Sequence, residues 1–196
     1  DTVTINLGAA TDTLSLNEID FGGGGTDVFN ITQGVLTLTD LVSGSADVTM
    51  AANNSSLYLT ADSTLNAGDF TANTGSTLTF ELTDTTDFGN VVATGDAVVT
   101  DNTVQMRVTT DNVVEAGDTF DLITSTGGAT DFQTTTFTDI SVLLDFINTS
   151  PDADTLQATA VVADIGDMVA GEDRGYLSPL ADELLSIPAG TDDDLD

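Results

Sequence analysis

Carboxylates are the only ionisable side chains abundant enough in this chain to do chemistry. Thirty-three acids face two arginines, Arg107 and Arg174, and there is no lysine, histidine or cysteine. Carboxylates can chelate a cation, work in pairs as acid and base, or cap turns. The densest candidate is residues 22–30, GGGGTDVFN, which matches the G-G-x-G-x-D-x-apolar-x pattern of calcium-binding turns. Such turns share each ion with copies nine or eighteen residues away, and calcium takes six to eight oxygens. The nearest imperfect copy, LGAATDTLS (7–15), puts Asp12 fifteen residues before Asp27, and no third copy follows. The spacing therefore predicts a glycine corner. Asp27 is the single candidate calcium ligand, with weak, diffuse cation binding along aspartate-rich edges, and no cofactor is required.

Two carboxylate pairs, Asp84/Asp87 and Asp152/Asp154, are close enough in sequence to serve as the acid and base of a polysaccharide hydrolase. Both lie among turn residues, where aspartate caps its own backbone, and turn capping is the expectation. The missing residue types exclude a thiolate nucleophile, a Ser-His-Asp triad, a Schiff base, a P-loop and the usual zinc sites. The chain therefore reads as non-enzymatic. Tyr58, Tyr176 and the nine phenylalanines could form a sugar-stacking strip, but interior stacking is expected for Phe70, Phe80 and Phe120. Arg107 and Arg174 are expected to relieve local charge.

A formal charge of −31 repels nucleic acid and anionic headgroups, so neither nucleic-acid nor direct lipid binding is expected. Hydrophobic content of 40% separates the chain from disordered acidic tails. The lack of cysteine fits a secreted protein. No run is long and apolar enough to cross a membrane as a helix. The start at Asp1, without a leader, is expected of a processed or excised piece.

The elements that would hold these side chains follow a period. Alternating segments recur as Leu14-Ser15-Leu16, Leu36-Thr37-Leu38, Leu57-Tyr58-Leu59 and Leu78-Thr79-Phe80, at steps of 22, 21 and 21 residues. A second apolar row runs Val28, Val48, Phe70, Val91, and Asp40, Asp62 and Asp84 follow the first row at steps of 22. Two rows with one period predict two strands per repeat. One such rung cannot bury its apolar face, but stacked rungs bury a column, which describes a parallel β-helix. Periodicity alone does not set strand direction, so an antiparallel sandwich is the alternative. The period is expected to break near residue 90, with hairpin turns around Asp101-Asn102 and Asp111-Asn112. A turn of helix is expected in DISVLLDFI (139–147) and a strand over 154–162.

Three stretches resemble the C-terminal passenger region of a bacterial autotransporter (type V secretion). They are DTVTINLGAATDTLSLNEIDFGGGGTDVFNITQGVLTLTD (1–40), the junction-like 76–128 with EAGDTFDLIT (115–124), and the linker-like RGYLSPLADELLSIPAG (174–190). The resemblance implies an all-β fold, a right-handed parallel β-helix with a C-terminal β cap and a short C-terminal helix. It implies regular rungs over 1–95, a junction (autochaperone) or cap over 96–162, and an acidic linker over 163–196. Ser178 and Pro179 would start the linker helix, with Leu180, Ala181, Leu184 and Leu185 on one face. The implied function is a structural or adhesive passenger at the bacterial cell surface, outside the cell, with a host or surface receptor as partner. An intact precursor would add the outer-membrane barrel that this chain lacks. The alternatives are a subunit of a filament or surface layer that self-associates end to end, and a calcium-stabilised extracellular module.

Overall fold

The computed structural model describes residues 2–21, 27–40, 42–109, 114–129, 132, 135–139 and 144–163. The expected Asp111-Asn112 turn, Tyr176, Arg174 and the 178–187 helix lie outside them. Contacts divide the chain after Val162, and the strands all belong to the unit before that point. Among the described residues the fold is all-β, without an α-helix, and its ladders are overwhelmingly parallel. That parallel direction decides against the sandwich.

The strands are β1 (Thr2–Asn6), β2 (Thr13–Leu16), β3 (Ile19–Asp20), β4 (Val28–Leu38), β5 (Val42–Ser43), β6 (Asp47–Met50), β7 (Ser55–Leu59), β8 (Thr64–Ala67) and β9 (Phe70–Ala72). They continue as β10 (Thr77–Leu82), β11 (Asn90–Ala93), β12 (Asp96–Val99), β13 (Thr103–Val108), β14 (Thr119–Ser125), β15 (Gly128–Ala129), β16 (Phe137–Asp139), β17 (Leu144–Asn148) and β18 (Thr155–Val162). The chain visits three ladders in turn. The first is β1-β4-β6-β9-β12-β15, the second β2-β4-β7-β10-β13-β16, and the third β3-β5-β8-β11-β14-β18-β17. Strand β4 serves the first two, bending at Thr32–Gln33 where its in–out alternation slips. Each repeat thus contributes three strands rather than the expected two. The parallel sheet curls round a shared core, an arrangement consistent with a β-solenoid.

The leucine row is a true stack: Leu14, Leu36, Leu57 and Leu78 are successive register partners, followed by Val104 and Phe137. The second row needs correction. Phe29, not Val28, aligns with Val48 and Phe70, and the row continues to Ala97; Val91 belongs to the third ladder, between Leu65 and Ile123. Phe29, Phe70, Phe80, Phe120 and Phe132 are fully buried, as interior stacking requires. Asp101 (φ 49°) turns the chain from β12 into β13, which lie in different ladders, so no hairpin forms there. Parallel pairing continues past it to β16. Residues 144–147, expected to be helical, are strand β17; Phe146 is buried on one side while Asp145 and Ile147 face out, a period of two rather than 3.6. Strand β18 matches the expected 154–162 strand and runs antiparallel along the β14 edge.

Candidate functional site

Successive rungs are tied at their corners by side chains. Thr39, Thr60 and Thr94 donate hydroxyl hydrogen bonds to Leu16 O, Leu38 O and Ala67 O, each one rung back. Asn66, Asn73 and Asn102 donate amide bonds to Val42 O, Met50 O and Asn73 O in the same sense. Corners cannot continue the backbone ladder, so these donors satisfy carbonyls that would otherwise lack partners.

The third-to-first-ladder corner carries the most ordered row of carboxylates. The register places Asp47, Asp69 and Asp96 one above another, preceded by Ala46, Gly68 and Gly95. Asp47 Oδ1 accepts the Asp69 N–H at 3.0 Å, and Asp69 Oδ1 accepts the Asp96 N–H at 2.8 Å. The carboxylate is also why glycine precedes it in the next rung. A Cβ on Gly68 would lie 2.6 Å from Asp47 Oδ1, and one on Gly95 would collide with Asp69 Oδ1. The row ends where Asp96 meets Gly128. Residue-by-residue reading missed this row; its signal was SADV, AGDF and TGDA at 45–48, 67–70 and 94–97.

Asp27 does not join it. It precedes β4, falls one residue out of step with Asp47, and is 8% exposed, with its carbonyl accepting the Asp47 N–H at 2.8 Å. Among the described residues no three acidic side chains converge in a way that could hold a metal ion. Asp27 supplies one carboxylate toward the six to eight oxygens calcium needs, and further ligands would have to come from residues 22–26, outside the described set. The fit to a dedicated calcium site is poor. Asp40, Asp62 and Asp84 do not share one register either, because Leu38, Leu59 and Phe80 are partners and the three acids follow them at different distances.

The two carboxylate pairs sit in turns. Asp84 Oδ1 accepts the Thr86 hydroxyl, the Thr86 N–H and the Asp87 N–H at 2.7, 2.7 and 2.8 Å. Those bonds, the Thr86 hydroxyl first, hold Asp84 below the ordinary carboxylate value. Three residues on, Asp87 is pushed up by partial burial and by the charges of Asp62 and Asp84. Burial also pushes Glu81 up, outweighing the attraction of Arg107, its register partner on β13. Asp152 Oδ1 accepts the Asp154 N–H at 3.0 Å. Each pair spends its best acceptor on its own turn.

Arg107 lies 5.4 Å from the centre of the Tyr58 ring, covering the outward aromatic face that a sugar would need. A small recess of about 140 Å³, lined by Val99, Asp101, Asn102, Thr135 and Thr136, is well below the size of a metabolite pocket. No described helix is long and apolar enough to cross a membrane. Comparison with protein-family models, with curated proteins and with solved structures finds no match for this chain.

Proposed function

We propose that this chain is a non-enzymatic structural segment of an extracellular bacterial surface protein, a right-handed parallel β-helix of the autotransporter passenger kind. It would extend or present other parts of that protein away from the cell. One observation carries the reading: the polar side chains that recur from rung to rung are spent on joining rungs. Threonine hydroxyls, asparagine amides and the Asp47–Asp69–Asp96 carboxylates all bind neighbouring backbone. A buried apolar column from Phe29 to Phe120 runs beneath them. Such a column suits a spacer, since its length grows by about 4.8 Å with each rung. The acidic surface would keep it soluble and apart from anionic headgroups.

Antibody labelling of intact cells making the native gene product tests the reading. Labelling of intact cells equal to that of lysed cells is expected. Labelling that appears only after lysis would overturn it.

A further inference from the structure

The first rung is built like the others but is covered on one side only. Strands β1 and β2 pair with β4 alone, and β3 with β5 alone, so their other backbone edges are open. The side chains agree. Val3 is 40% exposed, and Ile5, Leu14, Leu16, Ile19 and Phe21 are half-buried. Their counterparts one rung later, Phe29, Ile31, Leu36, Leu38 and Val42, are at most 1% exposed. An open, apolar, three-sided strand edge is a pairing surface.

We propose that this end docks one further three-strand rung of the same repeat, parallel to β1–β3 and supplied by polypeptide joined ahead of Thr2. The inference deepens the structural reading above and rests on it. Three observations select the occupant. The same surface recurs on the later rungs, and there the preceding parallel rung covers it, so the proposed contact continues an interface the molecule already uses. The corner hydrogen bonds have a direction: the donor sits in one rung and the acceptor carbonyl in the rung before. Asn17 stands in register with Thr39 and Thr60, the residues that make this backward bond, and its exposed amide is a donor of the type Asn66 and Asn73 use.

A second copy fits worse. The third ladder carries seven strand positions against six in each of the others, because β18 and β17 extend it beyond β14. That stepped end cannot meet all three open edges of another copy at once, and each copy brings a charge of −31.

The test joins a copy of residues 47–68 directly to Thr2 of the full chain, so that the duplicated Gly68 leads into β1 as the original leads into Asp69 and β9. A control carries the same insert with the residues copied from Leu57, Leu59 and Leu65 changed to serine. Hydrogen exchange of the Thr2–Asn6 and Thr13–Leu16 amides should slow by about tenfold or more with the apolar insert and stay unchanged with the control. Unchanged exchange with the apolar insert would overturn the proposal. So would a concentration-dependent dimer of the unextended chain, in sedimentation, that protects the same amides, since a second copy would then be the occupant. Cell-surface labelling is read separately, so failure of docking and failure of the surface reading remain distinguishable.

Discussion

Residues 28–82 and residues 83–139 stack the same three ladders at different repeat lengths. In the first region Leu36, Leu57 and Leu78 follow one another at 21 residues; in the second, Val104 lies 26 residues beyond Leu78, and Phe137 33 beyond Val104. The corner from the second to the third ladder takes most of the early growth. It lengthens along the chain through residues 17–18, 39–41, 60–63, 83–89 and 109–118. The corner from the third to the first ladder stays tight, at 68–69, 94–95 and 126–127. Register is therefore held by the ladders and the tight corner, while the wide corner absorbs insertions. The seven residues at 83–89 close on themselves: Gly89 N–H donates to Glu81 O, Thr83 N–H to Asp87 O, and Leu82 bridges Phe88. Closing a slightly longer loop costs little.

The largest expected effect breaks the element both regions share. Leu57 is 1% exposed in the middle of the leucine stack, and Leu57→Asp places an unpaired carboxylate there. A loss of about 4 kcal/mol or more is expected. Thr37, one rung earlier and on the outward side, should tolerate aspartate within about 0.5 kcal/mol. Urea unfolding of both variants decides; equal losses would mean that the facing of the second ladder is wrong.

A smaller effect should separate the tight corner from the wide one. Gly95→Ala pushes a methyl into Asp69 Oδ1 and to 2.9 Å from Gly68 O. A cost of about 2 kcal/mol is expected, shrinking but not vanishing in an Asp69→Ala background. Two residues inserted between Thr85 and Thr86, in the wide corner, should cost less than about 1 kcal/mol. An insertion there as damaging as Gly95→Ala would remove the distinction between the corners.

The same contrast explains what could be read from sequence. The leucine stack was legible because four near-identical triplets recur at almost constant spacing where the wide corner is still short. The third strand of each repeat was not, because β3 and β5 are two residues long and lie beside polar corners, too short to show alternation. Val28 takes the place of Phe29 in the sequence-derived row because the two adjacent apolar residues both suit a strand, and only pairing decides which faces in. Past residue 82 the lengthening corner removes the constant spacing, so continued parallel stacking looks like a break in the pattern. The carboxylates were legible as turn residues at Asp84 and Asp152. The stacked row was hidden because Asp47, Asp69 and Asp96 stand 22 and 27 residues apart, and a fixed period misses the last.

The smallest effect lies inside the wide corner, where Asp84 and Asp87 are shifted in opposite directions. Asp84 is lowered from 3.8, so its contribution is present above 3.8 and is lost as the pH falls through its lower folded value. Asp87 is raised from 3.8 and Glu81 from 4.5; their contribution is complete below those values and is lost as the pH rises through the raised ones. Acidifying from neutral pH should therefore first stabilise the corner through Glu81 and Asp87, before loss of the Asp84 cap opposes it below 3.8. Asp87→Asn should raise the Tm at pH 7 by about 1–2 °C and flatten the gain seen on approaching pH 4.5. Asp84→Ala should lower the Tm at pH 7 by about 2–4 °C, with the deficit narrowing below pH 3.8. Thermal unfolding of the two variants beside the parent, at fixed ionic strength from pH 7 to pH 3, reads both. Shifts of the same sign at pH 7 would show that the repulsion shared by this acidic surface, rather than the hydrogen bonds that distinguish the two carboxylates, governs the corner.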